Sequence, residues 1–283
     1  MTQTTLQRPM PVVGRATQKP RRRISGTTLL YAYTWLIMAW LALPIFVMIA
    51  FGFNDTHGRI NQTWQGFTLK WYGRLGEYPT LTRALWLSLG IAVVSALVSG
   101  ALGTGIGYAL GRYRFRGSNT LNGVMFATIS SPELTMGVSL LTLFVSLNVG
   151  RGPVTITIAH IMFSISFVAT VVRARVITLD RSIEEAAADL GATPWITFRK
   201  VTFPIIMPAV FSGVILAFAL SIDDFVVTNF TSGTYETFPL WIWGSSRMGL
   251  PPQVNVMATL IFAVGALLAV LASIRSRPRR RKR

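Results

Sequence analysis

The sequence predicts an all-α membrane protein with six transmembrane helices, and three observations carry that reading. Six apolar runs, near 28–52, 82–110, 120–148, 154–176, 207–230 and 252–274, are each long enough, at roughly 1.5 Å per residue, to cross a hydrocarbon core of roughly 30 Å. Only 13% of the residues are charged against 51% hydrophobic, about half the charged share of a soluble domain. The cations also alternate as topology requires: 21 of the 27 Lys and Arg lie in 1–27, 111–119, 173–206 and 275–283. The positive-inside rule then places those four segments, and with them both termini, in the cytoplasm.

Several function classes drop out at this stage. The absence of cysteine removes disulfides and thiolate metal sites, and two histidines, His57 and His160, do not make a metal cluster. A net charge of +17 raises the question of nucleic acid, but the charge sits in the tails, where topogenic and lipid-facing roles account for it. No phosphate-cradling G-x4-G-K-S/T loop and no nucleophile–base spacing is present, so the chain is read as neither an ATPase nor another enzyme.

Residues 1–27 are basic and poor in apolar periodicity, which predicts a disordered tail. The run 28–52 follows Arg21-Arg22-Arg23 as a signal peptide would, but it is too long for a signal h-region and no small-x-small site closes it, so it is read as an uncleaved first span. Between 53 and 81 lies the longest outer loop, with Asn54-Asp55 and Gly58 as turn signals and Trp64, Trp71 and Tyr72 as interface anchors. The second span carries Gly100, Gly103, Gly105 and Gly107; Gly103 and Gly107 form a small-xxx-small face that suits a helix interior to the bundle. After Arg112, Arg114 and Arg116 the third span is interrupted by Ser130-Ser131-Pro132, where a missing N–H predicts a kink or break. The outer loop 231–251 holds Trp241 and Trp243 in an apolar stretch that suits a short interfacial helix. The last span ends in the arginine-rich tail 275–283.

The segment 177–206 is too polar for lipid and too short for a domain. Ser182 stands three residues before Glu185, the spacing of a capping box, and Glu184-Glu185-Ala186-Ala187-Ala188-Asp189 suits a first helical turn. Gly191 fits a C′ position that needs positive φ, and Thr193-Pro194 opens a second helix that Pro204 and Pro208 would end. Trp195, Phe198 and Val201 give that second helix an apolar stripe. Taken alone, this pattern fits a loop packed on its own bundle as well as it fits a docking elbow.

At this point the chain resembles a known family. Glu185-Ala186-Ala187, then Gly191, Val201, Phe203 and Pro204, match the EAA–x3–G–x9–I–x–L–P motif of the inner-membrane permeases of binding-protein-dependent ABC importers, with Val201 and Phe203 keeping apolar character where the motif has Ile and Leu. Within that family it is most similar to the second permease subunits of spermidine/putrescine importers, through Trp71-Tyr72, Arg112-Tyr113-Arg114-Phe115-Arg116-Gly117, Leu179-Asp180-Arg181-Ser182 and Ser221-Ile222-Asp223-Asp224-Phe225-Val226. The resemblance, which runs from about 64 to 265, implies a type I ABC importer permease (MetI-like) bundle for the six-span region 28–274. It further implies a heterodimer with a second permease, two copies of a cytoplasmic ATPase that bind ATP and Mg, and an extracytoplasmic binding protein. Glu184, Glu185, Ala186, Ala187, Asp189, Gly191 and Pro204 become the expected ATPase-coupling residues, and the chain itself is expected to hold no cofactor.

Three of the ten acids, Glu133, Asp223 and Asp224, fall inside predicted spans. An acid at a bilayer centre costs roughly 2.5–3.5 kcal/mol on insertion scales, so each should face a partner or a wet cavity. Counted from the cytoplasmic ends of their helices, Asp223 and Glu133 reach about the same level, about 20 Å in. They are expected to line a passage for a polyamine together with Asp224, with Trp241 and Trp243 as candidates for cation–π contact. Pairing with Arg83 or Arg247, or an aspartate capping a helix end, is the competing use of these acids. A secondary transporter driven by an ion gradient, and an ABC permease for a different solute such as sulfate or phosphate, stay open as alternative functions.

Overall fold

In the computed structural model, which describes residues 26–58, 60–247 and 249–276, every regular element is helical apart from a single bridge between Asn54 and Phe67. The basic segments 1–25 and 277–283, expected as tails, lie outside the described residues. In chain order come α1 (Gly26–Phe51), α2 (Lys70–Gly73), α3 (Pro79–Arg112), α4 (Ser118–Ser130), α5 (Glu133–Ser146) and α6 (Pro153–Ile177). They are followed by α7 (Ser182–Asp189), α8 (Pro194–Thr197), α9 (Phe203–Asp223), α10 (Val226–Thr231), α11 (Phe238–Ser246) and α12 (Pro252–Ser276). As far as Val47, α1 stands as a unit of its own, an apolar helix none of whose residues is buried.

The core of the second unit is a three-helix seam. α3, α6 and α9 meet around Ala96, Val168, Val172, Val176, Ile206 and Ala217. The close approach follows from the glycine face of α3. A Cβ on Gly103 would stand 2.7 Å from Val168 Cβ, and one on Gly107 only 2.5 Å from the Ala169 carbonyl oxygen. Gly105, on the other side of the helix, has nothing within 4 Å. In lipid, where apolar burial does not drive helices together, such backbone approach is what brings contacts within range.

Four helical runs among the described residues are long and apolar enough to cross a membrane: α1, α3, α6 and the 30-residue run Pro194–Asp223. The third predicted span is a sharper break than a kink. α4 and α5 meet at 109°, with Ser131 and Pro132 both extended, because proline lacks the donor that would continue the helix and pushes its predecessor out of the helical region. α12 is apolar over Pro252–Leu267.

Two expectations need correction. The predicted fifth span, 207–230, is not one helix: α9 ends at Asp223, Asp224 is extended, and α10 is a separate short helix. Pro204 and Pro208 do not end the second elbow helix either. The chain runs from Pro194 through a π-turn, Phe198–Thr202, straight into α9, with Pro204 in the first turn and Pro208 inside. The wider turn, in which Phe203 N–H bonds to the Phe198 carbonyl, carries the helix up to Pro204, which has no N–H of its own to donate.

The outer loop is built around Asn54. Its amide donates to Asn61 Oδ1 and the Thr63 carbonyl, both at 2.7 Å, and Trp71 Nε1 donates to the Asn54 carbonyl at 2.7 Å. Trp71, expected as an interface anchor, is thus an internal strut of this loop, while Trp64 stays exposed.

Candidate functional site

The three acids that fall within predicted spans meet at one cavity of about 400 Å³. Glu133 comes from the first turn of α5, Asp223 from the last residue of α9, and Asp224 from the extended residue beyond it. Two helix breaks therefore face each other across the cavity, an arrangement that gives a membrane protein irregular backbone only where it lines a wet space. Phe163 and Phe167 of α6 and Phe225 at the second break supply aromatic walls.

The acids differ in their partners. Asp224 Oδ2 accepts the Thr228 N–H and hydroxyl, each at 2.7 Å, and lies 3.2 Å from His160 Nε2. The Thr228 N–H is the third of α10, so Asp224 satisfies an otherwise orphaned donor at that helix start, and the capping use of an aspartate is realised here. Among the described residues no other residue gives Asp223 or Glu133 a side-chain hydrogen bond or ion pair, and neither Arg83 nor Arg247 pairs with them.

The tryptophans separate. Trp241 does not line this cavity: its ring is buried against Leu81, Phe238, Val254 and Met257, and its Nε1 donates to Thr80 Oγ1 at 3.2 Å. Trp243 is exposed, with its ring 5.1 Å from that of Phe225, which does line the cavity. His160, which the sequence offers only as a residue that makes no metal cluster, is the residue that ties Asp224 to α6. An Asp and a Thr four residues apart, Asp224 and Thr228, were the available local sign of the break.

The elbow forms by local rules. Gly191 takes φ +81°, its N–H bonds to the Ala188 carbonyl at 2.8 Å, and Ala192 N–H reaches Ala187 at 3.0 Å, the paired bonds that close a helix with a left-handed C′ residue. Thr193 Oγ1 accepts from Ile196 N. The capping box predicted at Ser182 does not form; Asp180 Oδ1 accepts the Ser182 N–H at 3.0 Å instead. That bond holds the Asp180 carboxyl below the usual carboxylate range, so the cap is charged at neutral pH and its contribution fades only as pH falls through the lowered value.

The coupling candidates divide into two groups. Glu185, Ala186, Asp189 and Gly191 are exposed, next to Leu190 at 90% and Trp195 at 67% exposure. Glu184, expected among them, turns inward: Arg112 Nε donates to its Oε2 at 2.6 Å and Thr202 Oγ1 donates to its Oε1 at 2.8 Å. Ala187 is half-buried, and Pro204 lies in α9.

A helical membrane bundle with an acid-lined cavity at two helix breaks and an exposed apolar elbow defines a membrane transport subunit. The sequence of residues 103–282 matches the family of binding-protein-dependent transport system inner membrane components, and the chain belongs to it. It is an ABC transporter permease, whose ATPase is a separate polypeptide. It is 38% identical over 253 residues to the spermidine/putrescine transport system permease protein PotC of Escherichia coli (strain K12), covering 89% of this chain and 95% of the relative. It is 40% identical over 241 residues to the putrescine transport system permease protein PotI of the same strain, covering 82% and 85%. Among solved structures, a bacterial ABC transporter that imports the acidic polysaccharide alginate superposes with a TM-score of 0.64 at 18% identity, over 92% of this chain and 99% of that one. A subunit of the MetNI methionine ABC transporter gives 0.58 at 17%, over 69% and 93%. These structural likenesses speak for the fold alone; a fold shared with an importer of an acidic cargo leaves the charge of this cargo to the site.

Proposed function

We propose that this chain carries a polyamine, putrescine or spermidine, across the inner membrane into the cytoplasm, through the cavity between the two helix breaks. The observation that carries this reading is the convergence of Glu133, Asp223 and Asp224 on one aromatic-walled cavity. Carboxylates in a low-dielectric recess attract cations and repel anions, and Phe163, Phe167 and Phe225 offer π faces to ammonium groups as they shed water. The names of the relatives at 38% and 40% identity support the same cargo class.

In this reading the elbow is on the cytoplasmic side with both termini. Leu190 and Trp195 enter a cleft of the ATPase, with Glu185, Ala186 and Asp189 around them and Gly191 shaping the turn. A second permease subunit completes the passage, two copies of the ATPase hold ATP and Mg, and a binding protein delivers the cargo from outside. ATP-driven movement of the elbows then alternates the cavity between the two sides of the membrane.

Uptake of labelled putrescine by cells expressing the chain with its partners tests the cargo. Asp223→Asn and Glu133→Gln should each lower uptake about tenfold or more at unchanged membrane level, the scale of losing a hydrogen bond to a charged group. Wild-type uptake in both variants would remove the cavity from the pathway.

A further inference from the structure

α10 is joined to α6 by side chains as well as by packing. At one end Thr155 Oγ1 of α6 donates to the Thr231 carbonyl at 2.8 Å. At the other, His160 of α6 reaches three partners: Ser221 Oγ of α9 lies 2.7 Å from Nδ1, while Thr228 Oγ1 and Asp224 Oδ2 lie 3.0 and 3.2 Å from Nε2. The His160 and Asp224 side chains are only 2% and 5% exposed. Between Val227, Ala159, Leu140 and Phe144, α10 also packs on α5, the helix that bears Glu133.

The donors and acceptors assign the proton. Thr228 gives its one hydroxyl hydrogen to Asp224, so its oxygen is left to accept. The Asp224 carboxylate accepts as well. Nε2 of His160 is therefore the donor to both, and Nδ1 faces a serine hydroxyl that donates to it or accepts from it. Every polar atom of the imidazole is satisfied at a place almost closed to water, and the four residues come from α6, the end of α9, the break and α10.

We propose that His160 is a positioning residue for the transport cavity. It locks Asp224 into the helix break and leaves Asp223 and Glu133 as the two carboxylates that meet the cargo. The inference rests on the cationic-cargo reading for its functional consequence, but the lock itself does not depend on the cargo. Asp224 is the more buried acid, and three bonds converge on its Oδ2, so its loss should resemble loss of His160 rather than loss of Asp223. Glutamine at position 160 can donate from its amide to Asp224 and accept from Ser221, whereas leucine can do neither.

The test uses the complex isolated with its partner subunits, reconstituted for putrescine uptake. His160→Leu should lower maximal uptake about tenfold with the half-saturating concentration within about twofold, and His160→Gln should restore at least about half of the rate. Asp223→Asn should raise the half-saturating concentration. Combining His160→Leu with Asp224→Asn should add no loss beyond the worse single variant, whereas combining it with Asp223→Asn should multiply the losses. Wild-type uptake in His160→Leu, or multiplied losses in its pair with Asp224→Asn, would overturn the proposal.

A second arm reads the lock without cargo. The chain has no cysteine, so Val226→Cys at the start of α10 gives it a single thiol facing the cavity. Its reaction with a small thiol reagent should speed up about tenfold in the His160→Leu background and stay near the starting rate with His160→Gln. An unchanged rate in His160→Leu overturns the lock even where that variant transports poorly. If the unaltered complex carries neither putrescine nor spermidine, the cargo reading fails and the thiol rates still decide the lock.

Discussion

Gly107→Val should sharply reduce the folded chain recovered from membranes, and Gly105→Val, two residues away, should not. A Cβ at 107 would stand 2.5 Å from the Ala169 carbonyl oxygen and 3.0 Å from Val172 Cβ, and the nearest of these is backbone that no rotamer change can move. α3 and α6 would have to separate along the seam that also holds α9. Overpacking of a close-packed core costs about 1–3 kcal/mol, and more when backbone must shift. At 105 the new side chain meets nothing within 4 Å, so the same substitution tests helix propensity alone. Recovery and thermal melting of the two variants in detergent give the comparison. Equal behaviour would mean that the α3–α6 seam does not limit folding.

Glu184→Ala and Glu185→Ala, adjacent in sequence, should fail in different ways. Glu184 joins three parts of the chain: Arg112 at the end of α3, Thr202 at the entry to α9, and its own helix α7. Arg112 is further engaged through its Nη1 to the Leu179 carbonyl, and Arg181 Nη2 donates to the Arg112 carbonyl. The pair is largely out of water, with Arg112 7% and Glu184 21% exposed. Removing one partner of a buried pair costs about 3–5 kcal/mol, and the partial exposure of Glu184 puts this case toward the lower end. The melting temperature should therefore fall by about 5–10 °C, and capture of the ATPase with it. Glu185→Ala should leave melting unchanged and lose capture only, because that side chain is exposed and bonds to no partner among the described residues. An unchanged melting temperature in Glu184→Ala would dissolve the clamp and return Glu184 to the docking surface.

The parts of the molecule that could be read beforehand are those whose cause lies within a turn or two of chain. Gly191 was legible as a left-handed C′ residue because the bonds it enables run to Ala188 and, through Ala192, to Ala187. Thr193 was legible as a cap, and Ser131-Pro132 as a break, for the same reason. The misplaced cap at Ser182 shows the limit even here: Asp180 competes for the same N–H, and a carboxylate two residues upstream accepts it. The end of α9 was not legible by breaker rules, since neither proline nor glycine stands between 214 and 232. The extended residue at 224 is held by a carboxylate that bonds forward to Thr228 and sideways to a histidine on another helix.

The sequence by itself determined that the chain is a helical membrane protein, that three acids fall within its apolar runs, and that one polar segment has the spacing of an ATPase-coupling elbow. Each of these rests on hydropathy, charge distribution or local capping, which act over neighbouring residues. Only the tertiary structure decided which acids stand open to the cavity and which is tied down, which tryptophan is core, and which of two adjacent glutamates faces inward. His160 and Asp224 are 64 residues apart, and Arg112 and Glu184 are 72. Their pairing depends on how closely α3, α6 and α9 approach, and that distance is set by packing across the seam rather than by any local propensity of the chain.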